Sequence, residues 1–113
     1  MKNGLYSIHV KMLDGHPDRG SGVLVLRDGD MLGGNASLFY TGSYTFDGRK
    51  WKGELVTCPH SRNPGRTTVF EDRQSSIGFG GTFDEDNAEA RGTALLGKTS
   101  LIFKVTLRRL SEL

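Results

Sequence analysis

The chain has 113 residues, enough for one core and too few for two, and its 16 Gly against 3 Pro, with 35% apolar residues in short alternating runs, point to a compact, turn-rich domain rather than a disordered polymer. Fifteen Lys and Arg against 13 Asp and Glu give a formal charge of +2, so little non-specific phosphate affinity is available and nucleic acid is not the expected partner. A lone Cys58 excludes an internal disulfide and a thiolate zinc cage. The first residues lack the continuous apolar core of a signal peptide, and no run approaches the roughly 20 apolar residues of a membrane helix, so the expected place is the cytoplasm.

Residues 5–12 alternate with period two, Tyr6, Ile8, Val10 and Met12 on one face and Ser7, His9 and Lys11 on the other. Asp14, Gly15, Pro17, Asp18 and Gly20 form a polar loop. Residues 23–26 are apolar on both faces, and their brevity between glycines favours a strand. Asp28-Gly29 is a hairpin signal between that run and Met31-Leu32, because Gly accepts the positive φ of a tight turn. Gly33-Gly34-Asn35 reads as a bulge or kink that breaks the strand.

Alternation resumes over 38–46, with Leu38, Tyr40, Tyr44 and Phe46 on one face, and Asp47-Gly48 closes a second hairpin. Residues 50–57 place Trp51 and Leu55 inside against Lys50, Lys52 and Glu54 outside, a half-buried strand. The stretch 58–66, with two prolines, reads as a surface loop, and 67–70 as a short strand. Residues 75–84 put Ile77, Phe79 and Phe83 on one face, and Glu85-Asp86-Asn87 makes a turn. Ala-Glu-Ala-Arg favours helix by propensity, but Gly92 and Gly97 bound a segment too short to stand as one, and the alternation of Ala88, Ala90 and Ala94 makes 88–96 a strand. Residues 98–107 close the pattern with Leu101, Phe103, Val105 and Leu107 inside.

Eight or nine short strands joined in sequence predict an all-β, antiparallel up-and-down β-barrel, since closure removes the raw edges of a meander. Such a barrel is either filled by side chains or holds one small ligand. Tyr6, Ile8, Val10, Tyr40, Tyr44, Trp51, Leu55, Phe79, Phe83, Phe103 and Val105 are the side chains expected to line any cavity. A fatty acid or similar apolar molecule is the ligand class such a lining suits.

No catalytic, cofactor or metal motif stands out. His9, His16 and His60 lack the local spacing of metal ligands. Cys58-Pro59-His60 sets a thiol near an imidazole without an evident orienting acid, and a half-buried structural cysteine outweighs a nucleophile there. Gly33-Gly34 and Gly80-Gly81 lie inside β-like runs and suit bulges better than phosphate cradles. Arg49, Lys50 and Lys52, and again Lys104, Arg108 and Arg109, read as solvated strand faces. Asp84, Glu85 and Asp86, with Glu71-Asp72 nearby, are the best surface-contact candidates, against the plainer reading of a charged hairpin tip.

Asn3-Gly4-Leu5-Tyr6-Ser7-Ile8, then the stretch from Gly20 through Gly33-Gly34, then Tyr40-Thr41-Gly42, resembles the GrlR family, negative regulators of type III secretion, whose pattern runs nGxYsi, GxGvlvlxdGxixGGd and Y-x-G. Val69-Phe70, Gly78-Phe79-Gly80-Gly81 and Leu101-Ile102-Phe103-Lys104-Val105 look like its later blocks. The resemblance implies a lipocalin-like (calycin-like) barrel that forms a homodimer and restrains a helix-turn-helix transcriptional activator by binding it. In the best-known member an exposed acidic run, Glu-Asp-Glu-Asp, follows the Y-x-G strand and is implicated in activator binding. Here the matching turn is Thr45-Phe46-Asp47-Gly48-Arg49-Lys50, in which Asp47 alone is acidic.

Overall fold

The computed structural model describes residues 1–13, 19–60, 74–96 and 99–113. The expected strand at 67–70, most of the 58–66 loop, His16 and Glu71-Asp72 lie outside them. The described residues form β1 (Gly4–Met12), β2 (Arg19–Arg27), β3 (Asp30–Gly34), β4 (Leu38–Asp47), β5 (Lys50–Pro59), β6 (Ser75–Phe83), β7 (Asn87–Leu96) and β8 (Thr99–Ser111). Each pairs antiparallel with its sequence neighbour, and β1 pairs with β8 to close the barrel. The up-and-down barrel expected from the alternation is therefore the fold.

Local chemistry fixes the turns. Arg27 pairs with Asp30, leaving Asp28 (φ 50°) and Gly29 (φ 90°) as the two central residues, the double positive φ of a type I′ hairpin. Asn3 holds this turn from outside, its Nδ2 donating to Asp28 Oδ1 and its Oδ1 accepting from Asp28 N, both at 3.0 Å. Asp47 pairs with Lys50, and Gly48 takes φ 61° at the first central position, as a type II′ turn requires. Both turns, the Asp84–Asp86 turn and the two termini share one end of the barrel, tied together by Phe83 N donating to Arg49 O and Arg109 N to Asp86 O.

Inside, Tyr6, Ile8, Met12, Leu24, Leu26, Met31, Leu38, Tyr40, Tyr44, Trp51, Ile77, Leu101, Phe103 and Leu107 are buried. Large rings on one side meet small residues on the other. Trp51 packs on Phe79 at 4.8 Å between ring centroids and on Tyr44 edge-on at 6.3 Å, while Ala88, Ala90 and Ala94 of β7 complete the wall. The Phe79 ring lies where a side chain on Gly53 would sit, and the Phe103 ring crowds Gly92 in the same way. Interdigitation of large and small residues is how an eight-strand barrel fills its interior.

Three expectations are corrected. Gly33-Gly34 and Gly80-Gly81 keep regular register on both sides. The irregularity lies instead in β8, where Leu5 faces Ser111 but Tyr6 faces Arg109, so Leu110 is the extra residue. Phe46 shares the inward parity of Tyr40 and Tyr44, yet it lies at the barrel mouth, 52% exposed, with its edge to Phe83 at 5.7 Å. Gly20 belongs to β2, opposite Val10, and not to the preceding loop.

Candidate functional site

Two surfaces and one interior space among the described residues are candidates for a site. The first surface is the end that gathers the tight turns. Asp47 sits there, exposed at the β4–β5 turn, and Asp84, Glu85 and Asp86 form the β6–β7 turn beside it. The acids do unequal work. Asp84 Oδ1 accepts from Asp86 N at 3.2 Å and Asn87 N at 3.0 Å, an Asx turn that launches β7. Asp86 Oδ1 lies 3.8 Å from Arg109 Nη1. That leaves Asp47 and Glu85 as the acids of this set for which no such bond forms among the described residues.

Arg109 departs from the solvated role expected of it. Its side chain is only 15% exposed and its Nε donates to Asn3 O at 3.1 Å, so it closes the barrel end rather than decorating a strand. Tyr6 completes the same closure, its hydroxyl donating to Lys2 O at 2.7 Å. Burial raises the Tyr6 pKa above its ordinary value, partly offset by the Arg109 charge. Lys104 pairs with Glu89 at 3.6 Å across β7 and β8. Arg108 remains exposed, so the second basic cluster is dispersed.

The second surface is the outer face of β2, β3 and β4. Register aligns Val25, Leu32, Thr41 and Val56 in one row across four strands, all pointing outward. The adjacent row runs Val23, Gly34, Phe39 and Cys58. Leu32 is 57% exposed, and Val23 and Phe39 are exposed as well. No charged side chain interrupts the outward positions between Ser21 and Val25, at Leu32, or between Phe39 and Thr45. The outward positions of β5, β7 and β8 carry Lys50, Lys52, Glu54, Glu89, Arg91, Lys104 and Arg108. Sequence reasoning missed this face because exposed apolar residues are ordinary one at a time; their contiguity depends on register.

At the opposite end, Asn35 organises the β3–β4 connection. Its Oδ1 accepts from Ser37 N and Leu38 N at 2.9 Å, and its Nδ2 donates to Tyr40 Oη at 2.8 Å. His60 joins through Nε2, 2.9 Å from Asn35 O. Thus His60 serves a turn, and Cys58 is a half-buried free thiol pointing out from β5. Among the described residues no group of three or more His, Cys, Asp or Glu is placed to hold a metal.

The interior encloses a cavity of about 60 Å³. Of the residues expected to line it, Ile8, Val10, Tyr40, Trp51, Leu55, Phe79, Phe103 and Val105 do so. Tyr6, Tyr44 and Phe83 do not: the first two are buried nearer the barrel end, and Phe83 packs against Phe46 at the mouth. Leu24, Met31, Ile77, Ala90, Leu107 and the polar Thr57 line it as well. The space is far below the roughly 300 Å³ or more of pockets that take drug-sized ligands, so a fatty-acid chain does not fit the interior as it stands. Burial of Tyr40 pushes its pKa up to about 12.

No family model and no curated protein matches this chain. Among the described residues no helix is long and apolar enough to cross a membrane.

Proposed function

We propose that this barrel is a non-enzymatic, cytoplasmic protein-binding regulator that pairs with a second copy through the outer face of β2, β3 and β4. The observation that carries the reading is the charge-free apolar field of Val23, Val25, Leu32 and Phe39, on a barrel whose β5, β7 and β8 present charged side chains outward. A contiguous apolar patch of this kind is a contact surface in solution. A two-fold interface brings one patch against itself, which an uncharged surface tolerates and a single-sign charged one does not.

The partner follows from the resemblance of residues 1–48 to the GrlR family: a helix-turn-helix activator of the type III secretion kind, restrained by being bound. Asp47 and Glu85 are the acids best placed to meet it, because Asp84 and Asp86 are occupied within the fold. Affinity capture from the native cell, with the wild type and an Asp47→Lys/Glu85→Lys variant in parallel, tests this. A helix-turn-helix activator captured by the wild type and lost by the variant supports the reading. A wild type that captures no such activator, or a variant that captures it equally well, overturns the proposed contact.

A further inference from the structure

Register brings together a third surface, on β1, β7 and β8. Arg91 of β7 faces Lys104 of β8, and Lys104 faces Lys11 of β1. All three point outward; Lys11 and Arg91 are exposed and Lys104 is partly so. Like charges directly opposite on a sheet destabilise it, and this ladder sets three in a row. Glu89, 3.6 Å from Lys104, is the one acid at an outward position of these strands, against Lys11, Arg91, Lys104 and Arg108. The face therefore carries an excess of positive charge that suits an anionic partner.

Further along the same strands, toward the ends of β1 and β7, the outward side chains become apolar. Leu13 N donates to Ile102 O at 3.0 Å, which sets Leu13 beside Ile102, and Leu95 stands near them at the end of β7. All three are exposed, Leu95 by 60%. Outward residues two apart on a strand are separated by about 6.6 Å, so the apolar group stands roughly that far beyond the cations. A peripheral protein sinks its apolar face roughly 5–10 Å into the boundary between headgroups and acyl chains. With Leu13, Leu95 and Ile102 at that depth, the flexible Lys and Arg side chains lie level with the headgroups. Single-stranded nucleic acid fits this face less well, because no Phe, Tyr or Trp stands at an outward position of the three strands to stack on a base.

We propose that the outer face of β7, β8 and β1 docks the protein on an anionic lipid bilayer, Leu13, Leu95 and Ile102 entering the headgroup boundary and Lys11, Arg91 and Lys104 meeting the headgroup charge. In the strand order β8 lies across the barrel from β4, so the face stays open when two copies pair through β2, β3 and β4, and it is tested apart from that pairing. Co-sedimentation of the full chain with vesicles of phosphatidylcholine, alone or with about one-third phosphatidylserine, is the experiment. Binding to the anionic vesicles alone, weakened by salt, is expected. Lys104→Gln should weaken it about fivefold, and Lys11→Gln/Arg91→Gln/Lys104→Gln on the order of 100-fold. Leu95→Ser/Ile102→Ser should weaken it about tenfold. Lys52→Gln, which removes the same charge from β5 on the far wall, should bind within about twofold of wild type. Absence of binding to the anionic vesicles overturns the proposal. So does a Lys52→Gln loss equal to that of Lys104→Gln, an unchanged Leu95→Ser/Ile102→Ser variant, or tighter binding to a single-stranded oligonucleotide than to the vesicles.

Discussion

Two glycines three residues apart on one strand should respond to the same substitution with opposite signs. A Cβ on Gly81 would overlap the Glu89 carbonyl oxygen of β7 and lie 2.7 Å from Ala90 Cα. Both obstacles are backbone, so no rotamer change relieves them and the β6–β7 pair must separate. Overpacking of this kind costs about 2–3 kcal/mol. Gly78, on the same strand with its face outward, would meet nothing within 4 Å. There an alanine removes freedom from the unfolded chain and stabilises by about 0.4–1 kcal/mol. Thermal denaturation followed by Trp51 fluorescence measures both. Gly81→Ala should lower the melting point by on the order of 10 °C and Gly78→Ala should raise it by a few degrees. A Gly81→Ala variant as stable as wild type would mean that β6 and β7 do not approach so closely, and the account of the barrel wall fails with it.

Alkaline stability follows from the buried tyrosines. Tyr40 is held up to about 12, and Tyr6 and Tyr44 are raised by burial too. Below the ordinary value of about 10 both folded and unfolded chains keep these protons, so the contribution is complete; between pH 10 and about 12 the unfolded chain loses them first and stability falls. For Tyr40 the loss is at most about 3 kcal/mol, and urea midpoints from pH 9 to 11.5 should fall less steeply for Tyr40→Phe; an equally steep fall would refute burial as the cause. Asp84→Ala removes the acceptor for two backbone amides and should cost about 1 kcal/mol, whereas Asp84→Asn keeps the acceptor and should cost little; equal losses by thermal melting would count against the Asx turn. Asp86→Asn should change stability by less than about 1 kcal/mol, because the Arg109 pair is long and Asp86 is more than half exposed.

Period-two alternation located the strands because one face of each is buried, as with Tyr6, Ile8 and Met12 or Leu101, Phe103 and Leu107. Asp28-Gly29 and Asp47-Gly48 fixed two registers, since turn type dictates which residues face each other. Phase was harder where both faces are apolar. In β2 only the barrel decides that Leu24 and Leu26 turn inward while Val23 points out, so neither Leu24 nor Met31, the cross-strand neighbour of Leu26, is legible from the sequence as cavity lining. Phe46 has the inward parity but lies too close to the mouth to be covered, a matter of length rather than pattern. Thr57 follows the parity of Trp51 and Leu55, and that phase was the signal available for it. The acidic turn looked like a free patch because sequence shows charge and not the backbone amides that Asp84 satisfies.

The claim on which the functional reading rests is that the outer face of β2, β3 and β4 joins two copies. Sedimentation equilibrium of the wild type and of Leu32→Lys, a substitution at a 57% exposed side chain that leaves the core untouched, tests it directly. The account predicts a wild-type mass twice the 12.4 kDa of the chain and a folded, monomeric variant. A monomeric wild type, or a Leu32→Lys variant that remains a dimer, would contradict it.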